Sequence, residues 1–561
     1  MSHLPGHGWC RLDLLSKHRL FSTRSAAIAL GIVWFVSIEM AGAQATPAGK
    51  QPSTASIPQK ARPDAALFGK RILEILRSTN SERSSWGMLV VDRDTGATLY
   101  EMNADHFFMP ASNAKLFTTA VALATLGSDY RFHTTLESKA TLGSDGRLPG
   151  DLILVGRGDP DLSNRRIPYV GTPEREGITE KVLVEMADRA VAEGLKEVDG
   201  DIVADDRYFP YDPYPAAWTV GDLYFRFGAP VGAIAFNDNR VSIDLLPGER
   251  IGEPATIQAQ PAVAADSFAY AIATGPRDLE PDVAVVRQPG EKPVLLRGTV
   301  PLGHQAVRLD LAMIEPAETA ALALKQLLEA RGVQVTGKTQ VRHAPPPETS
   351  ASGEPILTHI AEREPEANQQ VLAEHVSFPL LEAIRITNKV SQNLHAELLL
   401  RAVGRVKLGL GSTAAGLKVE QNFLHEAGIV DGDVLLTDGS GLARDNLVTP
   451  RAVVALLQYV VGQPWGMDYI TTLPVAGVDG TLENRMVHTA ASNRIQAKTG
   501  EVEHERGLSG YATTLGGERL VFSIFYNNNP QKGPESSVPI DRIATAMVET
   551  LGVGRPTAKH P

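Results

Sequence analysis

Apolar and polar residues alternate along the first part of the chain in patterns that predict a hairpin and then a helix. Ser85–Asp92 and Ala97–Glu101 are short apolar runs of β type, and the Asp-Thr-Gly sequence at 94–96 is typical of a hairpin turn. Pro110–Leu126 is rich in Ala and Leu and is followed by Gly127, which predicts a helix with a glycine stop. We therefore expect folded structure to begin near Ala65.

The pattern changes twice further along the chain. Residues from about 138 to 365 hold short alternating runs with many Pro and Gly, which predict short strands. Helical patterns return from about residue 370, notably over Pro379–Val403, and three later apolar runs predict strands at Ile495–Ala497, Leu508–Thr514 and Leu520–Tyr526. The last helix has one apolar face, formed by Ile540, Ile543, Ala544, Met547, Val548 and Leu551.

This order predicts an α/β fold built from the two ends of the chain, with a large β-rich insertion between them. We assign residues 64–137 and 366–555 to the α/β unit, 138–365 to one or more inserted domains, and 556–561 to a tail. The last helix is expected to pack on a sheet that is shared with the N-terminal hairpin.

The N-terminus has the pattern of an export signal. A basic leader precedes an apolar run over Ala26–Ile38, and small residues offer cleavage after Ala43 or Ala45. We predict a cleavable signal at 1–43, a flexible Pro/Ser/Ala-rich linker at 44–63, and a periplasmic location. The alternative is a retained anchor, but the run is short against the ~20 residues of a spanning helix. The only cysteine, Cys10, lies upstream of the run, so the mature chain would have no thiol.

Composition narrows the classes of function. The 561 residues carry a net charge of −11 without long runs of one sign, which argues against nucleic acid and allows at most peripheral membrane contact. The sequence has no phosphate-binding glycine motif, no H-E-x-x-H and no C-x-x-C, so it supports neither a metal nor an organic cofactor. The oligomeric state stays open.

The first candidate for chemistry is Ser112-Asn113-Ala114-Lys115. Positions i and i+3 share one face of a helix, so Lys115 can reach the Ser112 hydroxyl. A serine becomes a nucleophile when a base takes its proton, and a lysine is a base only when burial or nearby positive charge lowers its pKa. Alone, this string is common by chance, and a helix-capping serine followed by an ordinary surface lysine is the alternative.

Two further strings complete a pattern. Ser391-Gln392-Asn393 lies at a turn between two helical patterns, where Ser391 could relay a proton and Asn393 could bind a substrate amide; the alternative is simple helix capping. Lys498-Thr499-Gly500 ends a short β-type run, where Lys498 and Thr499 could hold a carboxylate and Gly500 could admit a substrate backbone; the alternative is an ordinary turn. Their order, S-x-x-K, S-x-N, K-T-G, is specific for penicillin-recognising serine enzymes.

With these motifs the chain resembles the low-molecular-mass class C penicillin-binding proteins, the D-alanyl-D-alanine carboxypeptidase/endopeptidase family. The resemblance covers nearly all of the mature chain and rests on the strings ASNAKLFTTA, LVGRGDPDLS, GAPVGAIAFNDNRV, NKVSQNLHAELLL, TDGSGLARDNLVTPR, LPVAGVDGTLENR and AKTG. The 279-residue separation of Ser112 and Ser391 is typical of class C, whose insertion forms extra domains beside a transpeptidase/β-lactamase-like unit.

The resemblance implies roles for each of these residues. Ser112 would form the acyl-enzyme, Lys115 would be the general base and Ser391 would assist proton transfer. Asn393, Lys498, Thr499 and Gly500 would bind substrate, and the backbone N–H groups of Ser112 and of the residue after Gly500 would form the oxyanion hole. No cofactor is expected. The partners would be peptidoglycan stem peptides and β-lactam antibiotics, which would acylate Ser112. The loop TDGSGLAR is a hallmark of the family, but we assign its Asp438 and Ser440 no role.

One position departs from the family pattern. Family members usually carry Thr or Ser after K-T-G, whereas this chain has Glu501. An ionised Glu501 in the cleft would repel a terminal carboxylate by ~4 kcal/mol at ~4 Å and an effective dielectric constant near 20. We therefore expect it to weaken carboxypeptidase activity relative to endopeptidase activity. Two alternatives remain: a catalytically weak peptidoglycan-binding protein, and a β-lactamase, which the large insertion disfavours.

Overall fold

The computed structural model describes residues 62–286, 293–346 and 370–552. The predicted signal and tail, and nearly all of the predicted linker, lie outside the described residues. Contacts divide the chain into Met1–Gln59 and Lys60–Pro561, and only the second unit contains described residues. Within the described ranges, no helix combines the length and apolar character that crossing a bilayer requires.

The described residues form both helices and strands. The helices are α1 Pro63–Ser78, α2 Lys115–Leu126, α3 Lys181–Ala192, α4 Pro316–Glu329, α5 Leu380–Lys389, α6 Asn393–Leu408, α7 Thr413–Glu426, α8 Pro450–Val461, α9 Gly466–Thr471 and α10 Val538–Thr550. The strands are β1 Ser85–Asp92, β2 Thr98–Met102, β3 His133–Ser138, β4 Arg147–Leu148, β5 Leu152–Val155, β6 Glu197–Val198, β7 Ile202–Pro210, β8 Arg240–Leu246, β9 Thr256–Gln260, β10 Phe268–Gly275, β11 Asp282–Val286, β12 Val294–Pro301, β13 Val307–Ala312, β14 Gln334–Val335, β15 Thr339–Ala344, β16 Gln370–Val376, β17 Val434–Leu435, β18 Leu447–Val448, β19 Ile495–Val502, β20 Glu505–Thr513 and β21 Arg519–Asn527.

The two ends of the chain share one antiparallel sheet, as the sequence predicts. Its strand order is β19-β20-β21-β1-β2, and β1 pairs with β21 along its whole length. The apolar stripe of α10 is buried against this sheet and α1. On the opposite face of the sheet, α2, α5, α6 and α8 enclose a second core. The sheet thus lies between two helical layers, and its outer strand β19 carries the Lys498 motif.

The central part of the chain forms a separate group of small sheets. One has the order β15-β7-β5-β3-β16, three have three strands each, and α3 and α4 pack against a shared core. The five-stranded sheet includes β3 and β16, which lie largely outside the predicted 138–365 boundaries. Those domain boundaries remain a prediction, because contacts group all residues from Lys60 onward into one unit.

Candidate active site

Ser112 lies on a 3₁₀ turn, Ala111–Ala114, that leads directly into α2 at Lys115. The sequence predicted one continuous helix here; the tighter turn instead presents Ser112 at the surface of the cleft. Ala111 has φ +46°, a left-handed conformation that is costly for a residue with a Cβ. Lys115 Nζ lies 2.9 Å from Ser112 Oγ, so the predicted serine–lysine pair is within hydrogen-bond distance.

The amine of Lys115 is fully buried and has two further partners. It donates to Asn393 Oδ1 at 2.7 Å and to the Ser440 carbonyl oxygen at 2.6 Å. Burial lowers the pKa of Lys115 from 10.5 to about 7, although the negative charges of Asp438 and Glu397 oppose the change. A neutral amine can donate two hydrogens to these oxygens and direct its lone pair at the Ser112 hydroxyl. The geometry therefore suits a general base.

The predicted interhelix turn connects α5 and α6. Ser391 has φ +60°, and its Oγ accepts a hydrogen bond from Lys498 Nζ at 2.9 Å. Asn393 is the first residue of α6, and its Nδ2 donates to the Phe227 carbonyl oxygen at 2.8 Å. Because Asn393 Oδ1 also accepts from Lys115, this side chain connects the candidate base to the central part of the chain.

The strand β19 borders the cleft on its other side. Lys498 is fully buried, and burial together with the nearby positive Lys115 holds its pKa well below the usual range. The hydroxyls of Thr499 and Thr481 lie 2.7 Å apart, and both residues line the cleft. A Cβ at Gly500 would lie 2.5 Å from the Pro110 carbonyl oxygen, so the glycine is required for β19 to approach the 3₁₀ turn. That it also admits a substrate backbone stays a prediction.

Glu501 lines the cleft, and 64% of its side chain is exposed. It is paired across the strands with Arg506, whose Nη2 lies 3.0 Å from Glu501 Oε1. The ion pair offsets part of the carboxylate charge that a substrate would meet. The expected repulsion is therefore smaller than for an isolated Glu501.

The loop that contains Asp438 and Ser440 was singled out from the sequence, but what it does in the site was not predicted. The buried carboxylate of Asp438 accepts from the Gly441 and Ala443 backbone N–H groups, each at 2.8 Å. Asn446 Nδ2 and Trp218 Nε1 also donate to it at 2.8 Å. This network fixes the loop so that its Ser440 carbonyl faces Lys115. The Asp-Gly-Ser-Gly string was the only available signal, and it does not reveal these partners.

Two more buried acidic residues near this loop, Glu397 and Glu420, were not predicted from the sequence. Glu397 accepts from Ser440 N at 2.8 Å and Gly439 N at 3.2 Å; burial and the nearby Asp438 charge raise its pKa to about 7. Burial raises the pKa of Glu420 to about 8. Glu397 lies four residues after Asn393, on the same face of α6. Asn393 binds Lys115 directly, and Glu397 holds the backbone of Ser440, whose carbonyl oxygen also binds Lys115.

The cleft has a volume of about 870 Å³ and reaches from Ser112 along the β19–β20 hairpin. Ser391, Asn393 and Thr499 line it together with Ser112, so the structure brings the three predicted motifs into one site. Phe227 and Asp222, from the predicted insertion, form part of its wall. Among the residues that the structure describes, no cluster of His, Cys, Asp and Glu is arranged to hold a metal ion.

An α/β fold in which a serine at the cleft contacts a buried lysine at the start of a central helix defines the transpeptidase/β-lactamase-like class of serine enzymes. The model of the D-Ala-D-Ala carboxypeptidase 3 (S13) family matches residues 69–362 and 349–547. The D-alanyl-D-alanine carboxypeptidase of Actinomadura sp. (strain R39) is 32% identical over 489 residues, covering 85% of this chain and 84% of that protein. The penicillin-sensitive carboxypeptidase A of Dictyostelium discoideum is 26% identical, covering 86% and 91%.

A solved structure shares the fold. Penicillin binding protein 4 (dacB) of Haemophilus influenzae superposes with a TM-score of 0.71 at 24% identity, covering 85% of this chain and 98% of that one. This chain belongs to the D-Ala-D-Ala carboxypeptidase 3 (S13) family. The fold class and the enzyme class predicted from the sequence, a serine-type D-Ala-D-Ala carboxypeptidase, are thereby confirmed.

Proposed function

We propose that Ser112 is the nucleophile of a serine-type D-alanyl-D-alanine carboxypeptidase/endopeptidase and that Lys115 is its general base. The observation that carries this proposal is the 2.9 Å contact between Ser112 Oγ and a buried amine whose pKa is lowered to about 7. A base with a pKa near the working pH combines a substantial neutral fraction with a useful basicity. General-base catalysis by such a group contributes roughly 100- to 10,000-fold.

The contacts of the free site support the following steps of acylation. Lys115 takes the Ser112 proton as Oγ attacks the carbonyl carbon of the scissile D-alanyl bond. The oxyanion is stabilised by the backbone N–H groups of Ser112, on the 3₁₀ turn before α2, and of Glu501, directly after K-T-G. Ser391, hydrogen-bonded to Lys498, donates its hydroxyl proton to the departing amine and receives in return the proton that Lys115 took from Ser112, so Lys115 is neutral again. In the second half-reaction Lys115 takes a proton from the water that attacks the ester carbon. It returns this proton to Ser112 Oγ as the acyl–Oγ bond breaks and the peptide leaves with a new carboxylate.

The substrates are peptidoglycan stem peptides and cross-links, and β-lactams acylate Ser112 as mimics. Lys498 and the Thr499 hydroxyl are placed to receive a substrate or β-lactam carboxylate, while the amide of Asn393 orients the peptide. A bound carboxylate favours the charged form of Lys498, which burial disfavours in the free site. The relatives named penicillin-sensitive carboxypeptidase and penicillin binding protein 4 support the β-lactam assignment. Such substrates lie outside the cytoplasmic membrane, so we also propose export to the periplasm by the N-terminal signal.

The decisive experiment is the intact mass of the mature protein with and without penicillin. We expect one stoichiometric penicilloyl adduct that maps to Ser112 and is absent in Ser112→Ala. Release of D-alanine from a stem pentapeptide, measured in parallel, separates an active peptidase from a protein that is acylated but turns over little. Absence of any adduct on the wild type would exclude the proposed nucleophile and favour the binding-protein alternative.

A further inference from the structure

Asp238 lies in the predicted insertion, yet its carboxylate reaches the interhelix turn of the active site. It is held by an unusual backbone: Asn237, Asp238 and Asn239 all have positive φ, at 52°, 54° and 50°. Left-handed residues normally occur singly, and Asn and Asp are the non-glycine types that adopt this conformation most readily. Only 2% of Asp238 is exposed. Three consecutive strained residues thus place one buried carboxylate.

The carboxylate remains charged because it is paired. Burial favours the neutral acid, but the guanidinium groups of Arg165 and Arg175 hold the pKa of Asp238 well below its usual range. Arg165 Nη2 lies 2.6 Å from Asp238 Oδ2, and Arg175 also forms an ion pair with it. All three residues belong to the predicted insertion. They form a buried ion-pair cluster, called the anchor below, whose three members all lie outside the catalytic helices.

Two residues of the catalytic unit bind this anchor. Gln392 Nε2 donates to Asp238 Oδ2 at 3.0 Å, and His395 Nε2 lies 3.1 Å from Asp238 Oδ1. Gln392 is the middle residue of the Ser391-Gln392-Asn393 turn, and its Oε1 also caps α6 by accepting from Leu394 N at 3.0 Å. One side chain therefore connects the helix start to the anchor.

From this arrangement we propose that Asp238 is a positioning residue for catalysis: through Gln392 and His395 it fixes the turn that carries Ser391 and Asn393. Ser391 needs such a restraint because its φ of +60° is unfavourable for a residue with a side chain. Asn393 is restrained from the same direction by the Phe227 carbonyl. The central part of the chain is then a component of the catalytic site rather than an accessory.

The proposal rests on the proposed function, since it concerns acylation of Ser112. If the turn relaxes, Ser391 loses its alignment with Lys498, and Asn393 its alignment with Lys115. The rate constant of acylation should fall much more than the noncovalent affinity for penicillin, because Lys498 and Thr499 on β19 remain to receive the β-lactam carboxylate. Loss of general stability would not produce this separation between the two constants.

The test uses Gln392→Asn and Gln392→Met in the full mature chain. Asn is a strong helix cap but is one methylene too short to bind both Leu394 N and Asp238, whereas Met removes both contacts. The control is Ser412→Ala, which deletes the cap of α7, Ser412 Oγ to Ala415 N at 3.2 Å, without a contact to the turn. Acylation by a fluorescent penicillin is followed by stopped flow at several concentrations, and melting temperatures are recorded for all variants.

We expect both Gln392 variants to acylate at least tenfold more slowly, with an apparent dissociation constant within about twofold of wild type, while Ser412→Ala acylates normally. Wild-type rates in both Gln392 variants would overturn the inference and leave the proposed function intact. Slowing shared equally by Ser412→Ala would also overturn it. A wild type that forms no adduct at Ser112 would overturn the proposed function, and this inference with it.

Discussion

The charge of Glu397 should shift the pH at which Lys115 becomes an active base. Ser440 alone separates this carboxylate from the candidate base, because Ser440 N donates to Glu397 at 2.8 Å and Ser440 O accepts from Lys115 at 2.6 Å. Glu397→Gln removes the charge but keeps an oxygen that can accept from Ser440 N. The other charged groups around this pair, Asp438, Glu420, Arg401 and Lys498, are unchanged in the variant.

The wild-type profile follows from the lowered pKa of Lys115. The change from 10.5 to about 7 corresponds to ~5 kcal/mol against the charged amine. Because the neutral form is the base, acylation should rise with pH through about 7 and fall about tenfold per unit below it. An amine with an ordinary pKa would be neutral in only about one molecule in 3,000 at pH 7.

Removing the carboxylate should move the acidic limb of this pH profile, where acylation rises with pH, to lower pH. The reason is that Glu397 favours the protonated amine. Opposite unit charges ~8 Å apart interact by ~2 kcal/mol at an effective dielectric constant of about 20, or about 1.5 pH units. Glu397 itself titrates near pH 7 and is only partly charged at the midpoint. We therefore expect a shift of about 0.5 to 1 unit.

The assay is the second-order rate of penicillin acylation between about pH 5 and 9. The matched control is Glu420→Gln: burial raises the pKa of Glu420 to about 8, so the substitution removes little charge at pH 7. Among the residues that the structure describes, Glu420 accepts a single hydrogen bond, from Thr118 Oγ1 at 3.4 Å. A limb that stays in place or moves to higher pH in Glu397→Gln would refute the reasoning. A rate that is lower by the same factor at every pH would show that Glu397 supports the structure of the loop but does not change the pKa of Lys115.

Three other changes have defined outcomes. Lys115→Arg should lower acylation by roughly 100- to 10,000-fold at every pH tested, since arginine stays protonated; near-normal acylation would exclude Lys115 as the base. Gly500→Ala should lower the unfolding free energy by roughly 1–3 kcal/mol and slow acylation, because the new Cβ would lie 2.6 Å from Asn113 Nδ2. Gly462→Ala, where the nearest atom is 3.4 Å away, should do neither; equal melting temperatures for both variants would contradict the packing argument. Glu501→Thr should raise D-alanine release relative to cross-link cleavage by a few fold, limited by the Arg506 pair, and an unchanged ratio would contradict the expected repulsion.

Local relations between residues made part of this site predictable. Ser112 and Lys115 are one helical turn apart, so their contact follows from spacing once the segment is helical. The buried face of α10 follows in the same way from its i, i+3, i+4 pattern, and all six predicted residues are buried. The order of the three motifs then identified the family. Each of these inferences uses short-range periodicity or a string that can be read directly.

Contacts between distant segments were beyond that reasoning. Asp238 and Gln392 are 154 positions apart, and Trp218 and Asp438 are 220 apart. Nothing in the hydrophobic pattern distinguishes a buried charged residue from an exposed one of the same type. The left-handed backbone at Asn237–Asn239 is compatible with the Asn-Asp-Asn sequence, but the sequence does not reveal which turn its carboxylate meets.

The buried carboxylates near Lys115 raise its pKa, and burial counteracts this effect. The negative charges of Asp438 and Glu397 favour the protonated amine, which cannot act as a base. Yet the same exclusion of water that lowers the pKa of Lys115 to about 7 raises that of Glu397 to about 7 and that of Glu420 to about 8. Near neutral pH, Glu420 is therefore mostly neutral and Glu397 only partly charged, while Asp438 is held by four donors at 2.8 Å. Desolvation thus acts on both signs of charge together, and a neutral lysine can exist among carboxyl groups that still fix the loop it binds.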